Sequence, residues 1–155
     1  MRLPLTGRLV ALGLATGGRS MAGLVVLSAA SSPDGLSQPL RTLAGPVGRA
    51  GAAAAAATEL VLDKLPVTPP RTQPEGLVPR AAIAATGGYV LAKRRGRRPL
   101  IPVLTAAGTA VGAAYAGAWW REHAAQTGLS PLLAAAVEDA VVAGLTALAC
   151  RDDLG

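Results

Sequence analysis

The sequence predicts an all-α fold, a polytopic transmembrane helical bundle of about five spans that forms one membrane domain over residues 1–155. Hydrophobic residues make up 51% of the chain and charged residues only 15%, and the mean hydropathy is +0.41. This balance indicates that lipid is part of the solvent. The apolar residues are mainly Ala, Leu, Val and Gly, with no Phe, and such small side chains let helix backbones approach closely.

The first apolar stretch, residues 9–30, is long enough to cross the roughly 30 Å hydrocarbon core of a bilayer. A secretory signal is the alternative, because two arginines precede the stretch and small residues close it. However, Gly17-Gly18-Arg19-Ser20 interrupts the run where a signal peptide would stay apolar. A retained first membrane helix is therefore favoured.

Four further spans are predicted, separated by prolines, glycines and charges; they cover residues 43–65, 77–92, 100–120 and 132–150. Prolines in segment 66–74 break any helix. Ser130-Pro131 fits the N-cap and first turn of the fifth helix. The third span is short and contains Pro79, so a four-span bundle is the alternative.

Basic residues concentrate in one short segment, Lys93-Arg94-Arg95-Gly96-Arg97-Arg98, between the third and fourth spans. The net charge of +6 comes largely from this segment, which reads as a solvated cytoplasmic loop and predicts no nucleic-acid partner. With the loop inside, five spans place the C-terminus inside and the N-terminus outside. Four spans place the N-terminus inside as well.

Charged residues within the spans are the candidate functional residues, because each costs about 2.5 to 3.5 kcal/mol to insert. Arg19 lies near the middle of the first span. The acids that end the second span and those that begin the fifth are expected at the same depth, since these helices run in opposite directions. The predicted intramembrane cluster comprises Arg19, Glu59, Asp63, Arg80, Glu138 and Asp139. We expect Arg19 to pair with Glu59 or Glu138.

Two functions fit such a cluster. It forms a pathway for an ion, a proton or a small solute, or it holds the helices of a membrane scaffold together through salt bridges. Helix packing is assigned to Gly13 and Gly17 in the first span and to the GxxxG pair Gly108 and Gly112 in the fourth, through which a scaffold would form a homo-oligomer.

Enzymatic and metal chemistry are not predicted. One cysteine and one histidine, Cys150 and His123, provide no CxxC or HxxxH spacing, so no metal or cofactor is expected. His123 stands beside Glu122, with Arg121 before them, next to Trp120, and this group is typical of polar packing at a membrane interface. No nucleophile has a spacing that favours a catalytic triad, and no catalytic residue is assigned.

Three motifs in a fixed order resemble those of a known family. They are Gly13-Leu14-Ala15 leading to Gly18-Arg19-Ser20-Met21, then Glu59 with Asp63-Lys64 and Pro66, and finally Glu138-Asp139 after Ser130-Pro131. In these the chain resembles the bacterial membrane proteins grouped as domain of unknown function 4126. The resemblance covers nearly the whole chain and implies a multi-pass protein of the bacterial cytoplasmic membrane. It implies no activity.

Overall fold

The computed structural model describes residues 4–30, 38, 40–62 and 72–150 of the chain. Helices cover 88% of these residues and none of them lies in a strand, which confirms the predicted all-α class. The helices are α1 (Leu5–Gly18), α2 (Ser20–Ala30), α3 (Leu40–Ala44), α4 (Pro46–Leu62), α5 (Pro74–Arg94), α6 (Leu100–Gln126) and α7 (Pro131–Cys150).

The residues at the ends of the long helices explain where these helices begin and end. Gly96 and Gly128 have φ values of 62° and 76°, and each ends its helix in the left-handed conformation that glycine adopts without strain. Leu129 N–H then bonds to Ala124 O at 3.0 Å, which satisfies a carbonyl at the end of α6. At the start of α7, the hydroxyl of Ser130 accepts a hydrogen bond from Leu133 N–H at 3.3 Å, so the predicted N-cap is confirmed.

Helices α1 and α2 form a hairpin rather than one continuous span. A Cβ added to Gly23 would collide with the side chain of Thr16, so the two helices lie side by side with Arg19 at the tip. Contacts with α7 give the direction of α1: Arg8 Nη2 near the start of α1 donates to Ala149 O at 3.0 Å, and Arg19 just after its end contacts Asp139. The prediction of a single helix over residues 9–30 is therefore wrong, because the chain reverses at Arg19.

The bundle has two ends, which we name by the connections they carry. The basic end bears residues 95–99 between α5 and α6, and the turn end bears residues 127–130 between α6 and α7. Helix α1 enters from the basic end and α2 returns to it. Helix α4 then runs towards the tip, since Arg49 Nε donates to Ser28 O at 3.2 Å near its start and Glu59 contacts Ser20 near its end.

The hairpin changes the predicted topology. The start of α1 and the end of α7 both lie at the basic end, as the contact between Arg8 and Ala149 requires. Five consecutive spans would have separated them. The third predicted span, over residues 77–92, was expected to be short. It is part of α5, which has 21 residues and continues through Pro79.

Close backbone packing centres on α1, whose described residues from Ala15 to Gly18 are all buried. A Cβ added to Gly13 would lie 2.6 Å from Thr109 Cβ, and one added to Gly17 would lie 2.5 Å from Ala113 Cβ. These glycines therefore allow α1 to approach α6. Gly108 and Gly112 do not pack in this way, because a Cβ added to either would meet no atom of the described residues within 4 Å.

The two GxxxG pairs therefore predict opposite responses to alanine. Gly17→Ala should lower the free energy of unfolding by about 1 to 3 kcal/mol, because the added methyl must displace the α6 backbone. Gly112→Ala should leave it unchanged or raise it by up to about 1 kcal/mol, through the higher helix propensity of alanine. Denaturant titration of the two variants in detergent micelles measures both effects. Equal losses would contradict the assignment of the packing face to Gly13 and Gly17.

Two helices, α6 and α7, are long and apolar enough to cross a membrane by length and composition. Their most apolar stretches are only 22% and 17% buried within the chain, unlike the core helix of a soluble domain. Large apolar side chains on them face outwards, including Ile101 at 76%, Trp119 at 63% and Leu132 at 76% exposure. A soluble monomer rarely exposes apolar surface of this extent.

Candidate functional site at the hairpin tip

The site is built around a single non-helical residue, Arg19, between two helices. Arg19 has an extended conformation, with φ −142° and ψ 119°, between the last residue of α1 and the first of α2. Gly17 and Gly18 precede it, and a Cβ at Gly18 would lie 2.5 Å from Val142 Cγ2, so this glycine lets the tip pack against α7. The break leaves the first N–H groups of α2 without helical partners inside the bundle.

Glu59 of α4 satisfies these backbone groups. Its Oε1 accepts a hydrogen bond from Ser20 N–H at 2.9 Å, and its Oε2 accepts one from Met21 N–H at 2.8 Å. A carboxylate is favoured at a helix N-terminus because the helix dipole places partial positive charge there. Arg80 Nη2 of α5 lies 3.8 Å from Oε1 of the same carboxylate, so Glu59 joins three helices at the tip.

Arg19 is paired with α7. Its Nε donates to Asp139 Oδ1 at 3.0 Å, and its Nη2 also contacts that oxygen. The Arg19 side chain is 4% exposed and that of Asp139 is 23% exposed. The prediction that a carboxylate from another helix neutralises Arg19 is confirmed, but the described partner is Asp139, not one of the two glutamates that we expected.

The remaining predicted acids have different surroundings. Glu138, which is buried, accepts a hydrogen bond from Arg121 Nε at 2.9 Å. The sequence analysis placed Arg121 at the membrane interface and did not predict its pairing with Glu138. Arg121 lies 17 residues before Glu138, across the short turn between α6 and α7, and this spacing is the signal from which the pair could have been predicted. Asp63 lies outside the described residues.

In the described part of the chain, two clefts have Arg19 in their lining and lie towards different ends of the bundle. A third cleft, with Gly18 and Glu138 in its lining, lies between α1, α6 and α7. The turn-end cleft has a volume of about 320 Å³ and lies between the end of α6 and the first turns of α7; its lining includes Arg19, Arg121, Ala125 and Ala135. The basic-end cleft has a volume of about 340 Å³ and lies between α2, α4 and the second half of α7; its lining includes Arg19, Glu59, Asp139, Ala143 and Cys150. Arg19 lines both clefts.

The charges that line the clefts differ in sign. Within the described part of the chain, the charged residues of the turn-end cleft are the two arginines, Arg19 and Arg121. In the basic-end cleft two carboxylates accompany Arg19. The tip as a whole brings together three described bases, Arg19, Arg80 and Arg121, and three described acids, Glu59, Glu138 and Asp139. Such a site can hold charged or strongly polar groups in an otherwise apolar bundle.

Among residues 4–30, 40–62 and 72–150, no three His, Cys, Asp or Glu side chains lie together in a group that could hold a metal ion. His123 stacks on Trp119 with ring centroids 5.1 Å apart. Cys150 lines the basic-end cleft at the end of α7.

Comparisons with protein-family models, with curated proteins and with solved structures found no match to this chain.

Proposed function

We propose that this chain is a multi-pass protein of the bacterial cytoplasmic membrane that moves a small ion or solute past the charged tip of the α1–α2 hairpin. The bacterial membrane assignment follows the resemblance to domain of unknown function 4126. The break in the helix at Arg19 is the observation that carries the transport proposal. Non-helical backbone at membrane depth is tolerated where it is buried in protein or lines a cavity, and discontinuous helices of this kind build the sites of many transporters.

The depth of the tip supports this proposal. Asp139, which meets the tip, lies eight residues after Pro131 and eleven before Cys150 in α7. At 1.5 Å per residue it is about 12 Å from one end of the helix and about 16 Å from the other. If α7 crosses the bilayer, the ion pair lies near the middle of the hydrocarbon core. An unpaired charge there would be costly, so the site has to be supported by the bundle.

The proposed topology has four crossing helices, α4 to α7, with a re-entrant hairpin from the basic end. By length alone, α4 with 17 residues and α5 with 21 lie within the range of a span, whereas α6 and α7 also have the apolar composition of one. The exposed arginines and lysine at the basic end favour the cytoplasmic side by the positive-inside rule. The start of α1 and the end of α7 are then both cytoplasmic.

This topology predicts the labelling of single cysteines in a Cys150→Ser background. Arg97→Cys at the basic end should react with a membrane-impermeant thiol reagent only after cell lysis, whereas Thr127→Cys at the turn end should react in intact cells. Both positions are exposed and neither requires the left-handed backbone of the adjacent glycine. The protein should also stay in the membrane pellet after an alkaline carbonate wash. Release by carbonate, or labelling of both positions in intact cells, would overturn the membrane topology.

Transport is tested by swelling of proteoliposomes in iso-osmotic sodium chloride, sodium gluconate and glycine, followed by light scattering. We expect at least one probe to enter vesicles with the wild-type protein faster than protein-free vesicles. Vesicles with the variant Glu122→Gln, an exposed residue of α6 outside the site, should behave as wild type. Entry rates equal to those of protein-free vesicles for all three probes would contradict the transport proposal.

A membrane scaffold is the second candidate. It is favoured by Gly108 and Gly112 on α6, which no other described residue approaches, while large apolar side chains on the same helix face outwards. In that case the ion pairs at the tip serve assembly alone. Gly108→Leu would then dissociate an oligomer in detergent, as measured by light scattering coupled to size exclusion. Transport at the hairpin tip of a single chain does not depend on an oligomer and predicts no change of oligomeric state in this variant.

A further inference from the structure

We propose that the two clefts are the halves of one path along α7, and that the ion pair between Arg19 and Asp139 is the barrier that closes it. This inference rests on the proposed membrane function and identifies the gate of the same site. Its first support is that Arg19, which is almost fully buried, lines both the turn-end cleft and the basic-end cleft. The clefts therefore meet at this side chain.

The spacing along α7 gives a second support. Ala135 lines the turn-end cleft, Ala143 lines the basic-end cleft, and Asp139 lies between them. These three residues are four positions apart and so share one face of the helix. One face of α7 thus lines both clefts, and the ion pair between Asp139 and Arg19 lies between them.

The order of charges adds a third support. From the turn end, a solute first meets a lining whose described charged residues are Arg121, which is paired with Glu138 outside this lining, and Arg19. From the basic end it meets two carboxylates, Glu59 and Asp139, beside Arg19. A mobile ion of either sign can compete for one partner of the pair: an anion for Arg19, or a cation for Asp139. Since the two partners come from different elements, the hairpin tip and α7, a small separation of these elements would break the pair and join the clefts.

Single-cysteine accessibility tests the barrier without any transported solute. Ala135→Cys and Ala143→Cys, each in a Cys150→Ser background, are reconstituted into vesicles of uniform orientation, and impermeant methanethiosulfonate reagents are added from one side at a time. With the ion pair intact, Ala135→Cys should react only from the turn-end side and Ala143→Cys only from the basic-end side. An anionic reagent should react several-fold faster than a cationic one at Ala135→Cys, and the order should be reversed at Ala143→Cys.

Removal of the pair should join the clefts. In an Arg19→Ala, Asp139→Ala background both cysteines should react from both sides, whereas the charge reversal Arg19→Asp, Asp139→Arg should restore one-sided labelling. Arg97→Cys reports whether each background keeps its orientation and fold, and Asp139→Asn replaces the double variant if that variant does not fold. One-sided labelling without the pair, or two-sided labelling with it, would overturn the proposed barrier. If the barrier behaves as expected but no probe enters the proteoliposomes, the transport proposal fails and the gate stands.

Discussion

Arg19→Ala should lower the free energy of unfolding by about 3 kcal/mol. Loss of one partner of a buried ion pair costs about 3 to 5 kcal/mol, because the other charge is left without compensation. The lower end applies here, since the Asp139 side chain is 23% exposed. Denaturant titration in mixed micelles measures the change. Glu122→Gln, which removes an exposed carboxylate on α6, is the control and should change stability by less than about 0.5 kcal/mol.

A double-mutant cycle identifies the partner. The combination Arg19→Ala with Asp139→Ala should recover much of the stability that either change alone removes, because no isolated charge remains. Arg19→Ala with Glu59→Ala should show no such recovery, since the described contacts of Glu59 are with α2 backbone groups and Arg80. Additive losses for the Arg19 and Asp139 pair, with recovery for the pair that includes Glu59, would reverse the assignment made from the structure.

Glu59→Ala should have an effect of similar size, about 2 to 6 kcal/mol, through the backbone. It leaves the N–H groups of Ser20 and Met21 without their acceptors, and each buried unsatisfied group costs about 1 to 3 kcal/mol. Glu59→Gln keeps one side-chain oxygen as an acceptor and should lose less. The expected order of stability is therefore wild type, then Glu59→Gln, then Glu59→Ala.

A control separates this effect from the loss of charge alone. Glu75, an exposed acid in the first turn of α5, also lies at a helix N-terminus, so Glu75→Ala should cost no more than about 1 kcal/mol. Hydrogen exchange of the Ser20 and Met21 amides provides a local measurement, and both should exchange faster in Glu59→Ala than in wild type. Unchanged exchange at both amides would show that the carboxylate does not cap α2.

Several features of the chain were predictable because they depend on neighbouring residues. Apolar composition and small side chains predict packed helices, and the proline and glycine positions predict where several of them end. Ser130 caps α7 as its hydroxyl and the following proline predict. The neutralisation of Arg19 by a carboxylate from another helix was also predictable, because a charge within an apolar run has to be compensated.

The direction of the chain at Arg19 was decided by the tertiary structure. Hydropathy over residues 9–30 is the same for one spanning helix and for two short antiparallel helices. Yet α1 has 14 residues and α2 has 11, and neither alone reaches the length of a span. Gly17-Gly18-Arg19-Ser20 was the available signal, since short segments interrupted by glycine are typical of discontinuous membrane helices.

The choice among similar residues also depended on tertiary packing. Glu138 and Asp139 are adjacent in sequence, but consecutive helical residues point about 100° apart, so one meets Arg121 and the other meets Arg19. Likewise, the two GxxxG pairs have the same pattern, and only the placement of α1 against α6 makes Gly13 and Gly17 the packing residues. The sequence by itself determined that these helices form and that their buried charges need partners. The tertiary structure determined which faces meet, because rotation about a helix axis is set by contacts between distant residues.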